Sequence, residues 1–248
     1  MTFPYHVVFL PGLVCDGDAW TAQLAALEGV AASVADYGTC DSLPAMADTV
    51  LAQSPSELVL VGHSMGGRVA LEIYRQARER VRGVALLDTG YQARLHDDAG
   101  EQERSGRMAL VDLAQRRGMR AMGREWVQRM VHPDRLADHP LIEAILDMIE
   151  RKTPPVFEGQ QRALLARPDA TSLLAEIECP TLVLCGRQDA WAPLSRHEEM
   201  ARCIRGASLA IVERCGHMST MERPHDVSAA LDGWLAACIR PLPDQGFR

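Results

Sequence analysis

The sequence predicts an α/β protein, a mostly parallel central sheet flanked by helices, with an all-helical lid inserted into it. Three observations lead there. Short, continuously apolar β runs bounded by Gly, Pro or Asp alternate with helical patterns. The alternation stops between Tyr91 and Pro168, where only helical periodicity remains. A Gly-x-Ser-x-Gly pentapeptide stands between one β run and one helix. Strands buried on both faces read as unbroken hydrophobic runs, and strand–helix alternation gives a parallel sheet covered on both sides.

In chain order the expected strands are 6–10, 33–37, 57–61, 81–87, 180–185 and 207–212. The clearest helix carries Val227, Ala230, Leu231, Trp234, Leu235, Cys238 and Ile239 on one face. Ser219 with Glu222 reads as its capping box, and Pro224 suits its first turn. Between the fourth and fifth strands, helices are expected around 105–115, 119–131, 140–151 and 155–166. The expected division is therefore a core of residues 1–90 and 169–248 and a lid of residues 91–168. Such an insertion would lie over the carboxyl edge of the sheet, where ligands bind in open α/β folds. Residues 92–170 hold 13 basic and 13 acidic side chains, so the charge of the whole chain belongs to the core.

The length of 248 residues fits one large domain carrying an insertion, at roughly 150 residues per domain. A hydrophobic fraction of 47% and a charged fraction of 24% supply a large core and no disorder signature. The net charge of −7 repels phosphate backbones and anionic headgroups, so neither nucleic acid nor a membrane surface is expected as partner, and a small molecule is. Lys152 is the one lysine beside 25 arginines, and it lacks a glycine-rich loop. Schiff-base chemistry, pyridoxal phosphate attachment and a Walker-type phosphate loop are thereby disfavoured. The first residues lack a charged region followed by a cleavable apolar stretch, and no apolar run approaches the ~20 residues of a membrane span, so a cytoplasmic protein is expected. Seven cysteines without a Cys-x-x-Cys pair argue against a disulfide framework and structural zinc. Cys15 and Cys215, near the expected site, are read as buried packing residues.

Gly62-His63-Ser64-Met65-Gly66 follows the third strand and precedes a helix. In that context the motif is a nucleophile elbow: a turn too tight for neighbouring side chains lifts the serine hydroxyl clear of the sheet. The helix N-terminus behind it favours developing negative charge. A serine hydroxyl needs a base, which a carboxylate must orient. His217 in Cys215-Gly216-His217-Met218 follows the last strand and is the candidate base. The other histidines stand inside the elbow (His63), at the start of a strand (His6), or in polar helical or loop contexts (His96, His132, His139, His197, His225). Asp189 follows the fifth strand and is the candidate acid, with Asp88 at the end of the fourth as its competitor.

With the order Ser64, Asp189, His217, the chain resembles the α/β-hydrolase fold family, in particular its small lid-bearing serine hydrolases such as carboxylesterases. The resemblance spans nearly the whole chain and is weakest across the lid. It implies an oxyanion loop at Leu10-Pro11-Gly12-Leu13, where the backbone N–H of Leu13 would act with that of Met65. The family's common His-Gly is Pro11-Gly12 here, and the leading antiparallel hairpin of many relatives is not expected. The implied reaction is hydrolysis of a carboxylic ester through an acyl-enzyme, with no metal or organic cofactor required.

Trp126, Met122 and Phe157 from the lid, with Trp191 and Met218 beside the acid and base, suggest a pocket for a small, largely apolar substrate. The neutral lid points to a substrate that is uncharged or weakly charged. Three other readings stay open, because fold does not settle reaction. Ser64-Met65-Gly66-Gly67-Arg68 also resembles the menaquinone-pathway synthases of this fold, lyases in which Arg68 could anchor a carboxylate. Thioester, lactone or carbon–carbon bond hydrolysis is the second, and a ligand receptor that kept the fold the third.

Overall fold

A computed structural model describes residues 4–27 and 29–238. The elements run β1 (His6–Leu10), α1 (Thr21–Ala26), β2 (Ala32–Val34), α2 (Leu43–Gln53), β3 (Leu58–His63), α3 (Met65–Ala77) and β4 (Val81–Leu87). Then come α4 (Asp98–Arg117), α5 (Met119–Val127), α6 (His139–Glu150), α7 (Pro154–Leu165) and α8 (Thr171–Leu174). The chain closes with β5 (Thr181–Gly186), α9 (Leu194–Cys203), β6 (Ser208–Val212), α10 (Ser219–Glu222) and α11 (Pro224–Cys238).

Six strands form one sheet in the order β2-β1-β3-β4-β5-β6, and every pairing is parallel. β3 and β5 are buried along their whole length, as unbroken apolar runs require, while the edge strand β6 exposes Ser208 and Leu209. From β1 the chain crosses to β2 on one side, and from β3 to β4 on the other. The sheet therefore has its topological switch point between β1 and β3, and the crevice beyond their carboxyl ends is where such folds bind ligands. The loop after β1 and the turn after β3 both open there.

Helices alone occupy the chain between β4 and β5, with α5 packed on α4 and α6, and α7 on α4. α4 starts at Asp98, seven residues before its expected start, because the Asp97 carboxylate caps it by accepting from Gly100 N–H at 3.0 Å. Its first turns are polar and carry no apolar period. The second strand is shorter than expected, three residues on the sheet edge.

The capping box at Ser219 and Glu222 does not form. Both residues belong to the separate short helix α10, Ser219 is fully buried with its hydroxyl donated to Asp88, and Glu222 accepts from other backbone groups. Pro224 does begin α11, whose buried face carries Val227, Leu231, Trp234, Leu235 and Cys238; Ile239 lies outside the described residues. No helix among the described residues is long and apolar enough to cross a membrane.

Candidate active site

β3 ends at His63 and α3 begins at Met65, so the chain reverses at Ser64. Ser64 holds φ 55°, a left-handed conformation that non-glycine residues seldom adopt. The reversal is possible because α3 starts hard against β1: a Cβ on Gly66 would stand 1.9 Å from the Leu10 carbonyl oxygen. Ser64 N–H donates to Leu87 O at 2.9 Å, which ties the turn to β4.

His217, on the connection from β6 to α10, places Nε2 2.8 Å from Ser64 Oγ and Nδ1 2.7 Å from Asp189 Oδ2. Asp189, just after β5, accepts at its other oxygen from the N–H groups of Trp191 and Ala192 at 2.7 and 2.9 Å. An ionised carboxylate can only accept, so Nδ1 carries the imidazole proton and Nε2 is left to accept from the serine hydroxyl. Burial alone would lower the His217 pKa, yet the charge and hydrogen bond of Asp189 raise it above the ordinary histidine value. For Asp189, burial likewise opposes the charge, and His217 with the two backbone donors brings its pKa below the usual carboxylate value. The structure thus brings Ser64, Asp189 and His217 together.

The competitor Asp88 is fully buried behind them. One of its oxygens accepts from Gly186 N–H at 2.9 Å, the other from the Ser219 hydroxyl. Burial, reinforced by the Asp189 charge, pushes its pKa well up.

Several residues that frame the site have no local sequence signal. The loop of His217 is held by Met130, whose carbonyl accepts from His217 N–H at 2.7 Å and Met218 N–H at 3.0 Å. Glu222 accepts from Gly216 N–H at 3.0 Å and from His132 N–H at 2.7 Å. His63 lies under the elbow with Nε2 2.7 Å from the His217 carbonyl oxygen. His197, expected in a polar context, is completely buried: its Nε2 accepts from Thr89 N–H at 3.0 Å.

Leu13 and Met65 both line the cavity that opens on Ser64. Met65 begins α3, so its N–H has no intrahelical acceptor. The loop carrying Leu13 is held from α7, where Gln160 Oε1 accepts from Val14 N–H at 2.8 Å.

The cavity measures 260 Å³ and differs from the apolar pocket expected. Trp126, Trp191 and Arg68 line it, but Met122, Phe157 and Met218 do not; all three are fully buried in packing. In their place Arg107 from α4, Arg167 from the chain after α7 and Arg196 from α9 join Arg68, with Glu103 among them. The charge of residues 92–170 is balanced in number only. Asp112, Glu143, Asp147 and Glu150 face solvent, whereas Arg107 and Arg167 turn inward. The cavity wall facing Ser64 is basic, which the balanced count of charges over residues 92–170 gave no sign of.

Residues 7–230 match a sequence profile described as the alpha/beta hydrolase family. A pimeloyl-[acyl-carrier protein] methyl ester esterase of Neisseria meningitidis serogroup A is 31% identical over 222 residues, which are 87% of this chain and 63% of that protein. The chain thus spans less than two thirds of that relative's length. A 2-succinyl-6-hydroxy-2,4-cyclohexadiene-1-carboxylate synthase of Klebsiella pneumoniae is 26% identical over 180 residues, 72% of this chain and 68% of that one. Among solved structures, a thermophilic esterase from Thermogutta terrifontis, with malate bound, superposes with a TM-score of 0.83 at 28% identity, covering 96% of this chain and 92% of its own.

Proposed function

Since the chain belongs to the α/β-hydrolase family, we propose that it is a serine hydrolase that cleaves carboxylic esters of small substrates through an acyl-enzyme. The observation that carries this reading is the continuous relay from Ser64 Oγ to His217 Nε2 at 2.8 Å and from His217 Nδ1 to Asp189 at 2.7 Å. Ser64 Oγ attacks the ester carbonyl carbon while His217 Nε2 takes its proton. The carbonyl oxygen becomes an oxyanion between the N–H groups of Leu13 and Met65. His217 then returns the proton to the departing alcohol oxygen as the C–O bond breaks. A water, deprotonated by the same nitrogen, attacks the acyl carbon, and the acid leaves with Ser64 restored. Asp189 holds the imidazole in the required tautomer and stabilises its charged form. Residues 91–168 serve in this reading as a lid over the carboxyl edge of the sheet.

The relatives support the same class of reaction, for the Neisseria protein is named an esterase of a methyl ester and the Thermogutta protein an esterase. A fluorophosphonate should label purified protein at Ser64, and a short p-nitrophenyl ester should be hydrolysed. Ser64→Ala should abolish both while leaving the melting temperature close to the parent's. Folded protein that takes no label would overturn the proposal.

A second reading has one specific observation behind it, Arg68 in the cavity wall, together with a relative named a synthase. There the same relay would abstract a proton from carbon and no acyl-enzyme would form. Mass spectrometry of protein quenched during ester turnover separates the two, because only the hydrolase carries the acyl mass on Ser64.

A further inference from the structure

We propose that the basic wall of the cavity is a carboxylate subsite, so that the enzyme's substrates are half-esters of short dicarboxylic acids, the ester carbonyl at Ser64 and the free carboxylate at Arg68 and Arg196. This rests on the serine-hydrolase reading and adds the substrate class.

The four arginines around the cavity have two different situations. Arg107 and Arg167 share Glu103: Arg167 donates to its two carboxylate oxygens at 2.7 and 2.8 Å, and Arg107 Nε donates at 2.9 Å. Although burial would raise the Glu103 pKa, these two guanidinium groups hold it at about 2, so Glu103 is spent on them. Asp88, the other acid at the cavity, is turned to Ser219 and Gly186. Arg68 and Arg196 therefore form no ion pair among the described residues, and the hydrogen bond Arg68 makes is Nη1–H to Gln92 O at 2.9 Å. A guanidinium has five N–H donors, which leaves most of this one's unassigned.

Arg68 and Arg196 also converge. A Cβ on Gly90, in the loop after β4, would stand 2.7 Å from Arg68 Nη2 and 3.2 Å from Arg196 Nη1. The absence of a side chain at residue 90 is what lets both groups reach the same place. Burial and then the charges of Arg167, Arg196 and Arg107 lower the Arg68 pKa to about 9, with Glu103 opposing them only in part. Two guanidinium forks around one point match a planar carboxylate.

The cavity sets the substrate's length: Ser64, Arg68 and Arg196 line one space of 260 Å³, small for a ligand site, which limits the chain between ester and carboxylate to a few methylenes. Trp191, with Arg107 stacked 5.4 Å from its ring centroid, supplies the apolar side for the intervening methylenes.

The test compares monomethyl glutarate with dimethyl glutarate, which differ in one negative charge. The intact protein should favour the half-ester by about 10-fold or more in kcat/KM. In Arg68→Gln and, separately, Arg196→Gln, that ratio should fall on the order of 10- to 100-fold, the loss of a hydrogen bond to a charged group. Calorimetry on Ser64→Ala, which needs no turnover, should detect glutarate binding that weakens with added salt and disappears in Arg68→Gln. A protein labelled by fluorophosphonate that shows no half-ester preference overturns the carboxylate subsite and leaves the hydrolase reading standing. Absence of labelling overturns the hydrolase reading itself. Inorganic phosphate bound as tightly as glutarate would mark a general anion site and overturn the substrate class. If one arginine variant fails to fold, the other and the calorimetry still decide.

Discussion

The Nε2–H of His63 donates to the carbonyl oxygen of His217 at 2.7 Å, so the residue before Ser64 holds the backbone of the proposed base. A carbonyl can only accept, which sets this tautomer. Burial, with the neighbouring His217 charge, lowers the His63 pKa to about 4 and keeps the ring neutral. Its Nδ1 faces Gly12, where a Cβ would stand 2.9 Å away. The loops after β1 and β6 thus meet on the imidazole that ends β3.

His63→Ala should leave the His217 carbonyl buried without a donor and let the base drift. A displacement near 1 Å can lower the rate about 100-fold, and the unmade bond should reduce stability by about 1–3 kcal/mol. The expected signature is a fall in kcat on the order of 10- to 100-fold with a smaller change in KM. His63→Gln, whose amide nitrogen can reach the same carbonyl, should recover most of it. Steady-state kinetics and chemical denaturation check both; an Ala variant with parental kcat refutes the positioning role.

The rate should fall as pH drops through the His217 pKa, since the base must be neutral to accept from Ser64. That pKa is raised by Asp189 despite burial, so the acid limb should lie above the ordinary histidine value near 6.5. Asp189→Asn removes the charge that raises it. Its limb should move to lower pH, with kcat reduced by about 1,000-fold or more, as loss of the orienting carboxylate does elsewhere. Asp88→Asn should change kcat far less, because Asp88 bonds Ser219 and Gly186 rather than His217. The pH profiles of both variants decide which carboxylate orients the base.

Stability at acid pH should carry the imprint of His197. Its folded pKa is lowered by burial to about 4, so between the unfolded value near 6.5 and 4 the unfolded chain binds the extra proton. The sign follows: its contribution is present above 6.5 and lost as pH falls toward 4. Asp88 acts oppositely, since its raised pKa keeps a proton in the folded state that the unfolded state releases. Replacing His197 with Gln, which can still accept from Thr89 N–H, should therefore flatten the acid-side loss by about 1.4 kcal/mol per pH unit. Urea melts at pH 7, 6 and 5 measure it; parallel curves for the two proteins contradict it.

How far the sequence reveals this molecule depends on the range of each signal. β1 and β4 coincide with the expected 6–10 and 81–87 because each is a mostly buried apolar run, interrupted only by the half-buried His6 at the start of β1 and Arg82 near the start of β4. The start of α4 was hidden because its first turns face water and carry no period. Ser64, His217 and Asp189 sit in short motifs at strand ends, so local chemistry betrays them. Arg68, Arg107, Arg167 and Arg196 come from four separate segments and meet only through the crossing of α3, α4, α9 and the chain after α7. No local pattern marks such a convergence, and counting charges over the insertion pointed the other way. Ser219 and Glu222 fit a capping box at their spacing, but tertiary burial redirected both.

Thiol reagents should find one fast site. Cys203 is the exposed cysteine, while Cys15, Cys179, Cys185, Cys215 and Cys238 are buried and Cys40 is partly so. Burial pushes the thiols of Cys15, Cys179 and Cys238 up to about 12, which leaves almost no thiolate near neutral pH. Brief iodoacetamide treatment at pH 7.5 should add one equivalent at Cys203 and leave ester hydrolysis within about twofold of the untreated rate. Peptide mapping checks the site; early modification of Cys15 or Cys215 with loss of activity contradicts it.

Gln160 should matter to the reaction although it stands on α7. Val14 holds φ 54°, a conformation strained for a β-branched residue, and its N–H donates to Gln160 Oε1 at 2.8 Å. That bond holds the loop that carries Leu13, whose N–H the proposed mechanism assigns to the oxyanion. Gln160→Leu leaves a buried N–H without an acceptor and frees the loop to relax, which should destabilise the fold by about 1–3 kcal/mol. A displaced oxyanion donor acts in the transition state, so kcat should fall on the order of 10- to 100-fold while KM changes little. Fluorophosphonate labelling of Ser64 should slow in parallel. Gln160→Glu keeps an oxygen for Val14 N–H and should restore both rates, whereas a merely space-filling role for Gln160 predicts that Leu serves as well as Glu.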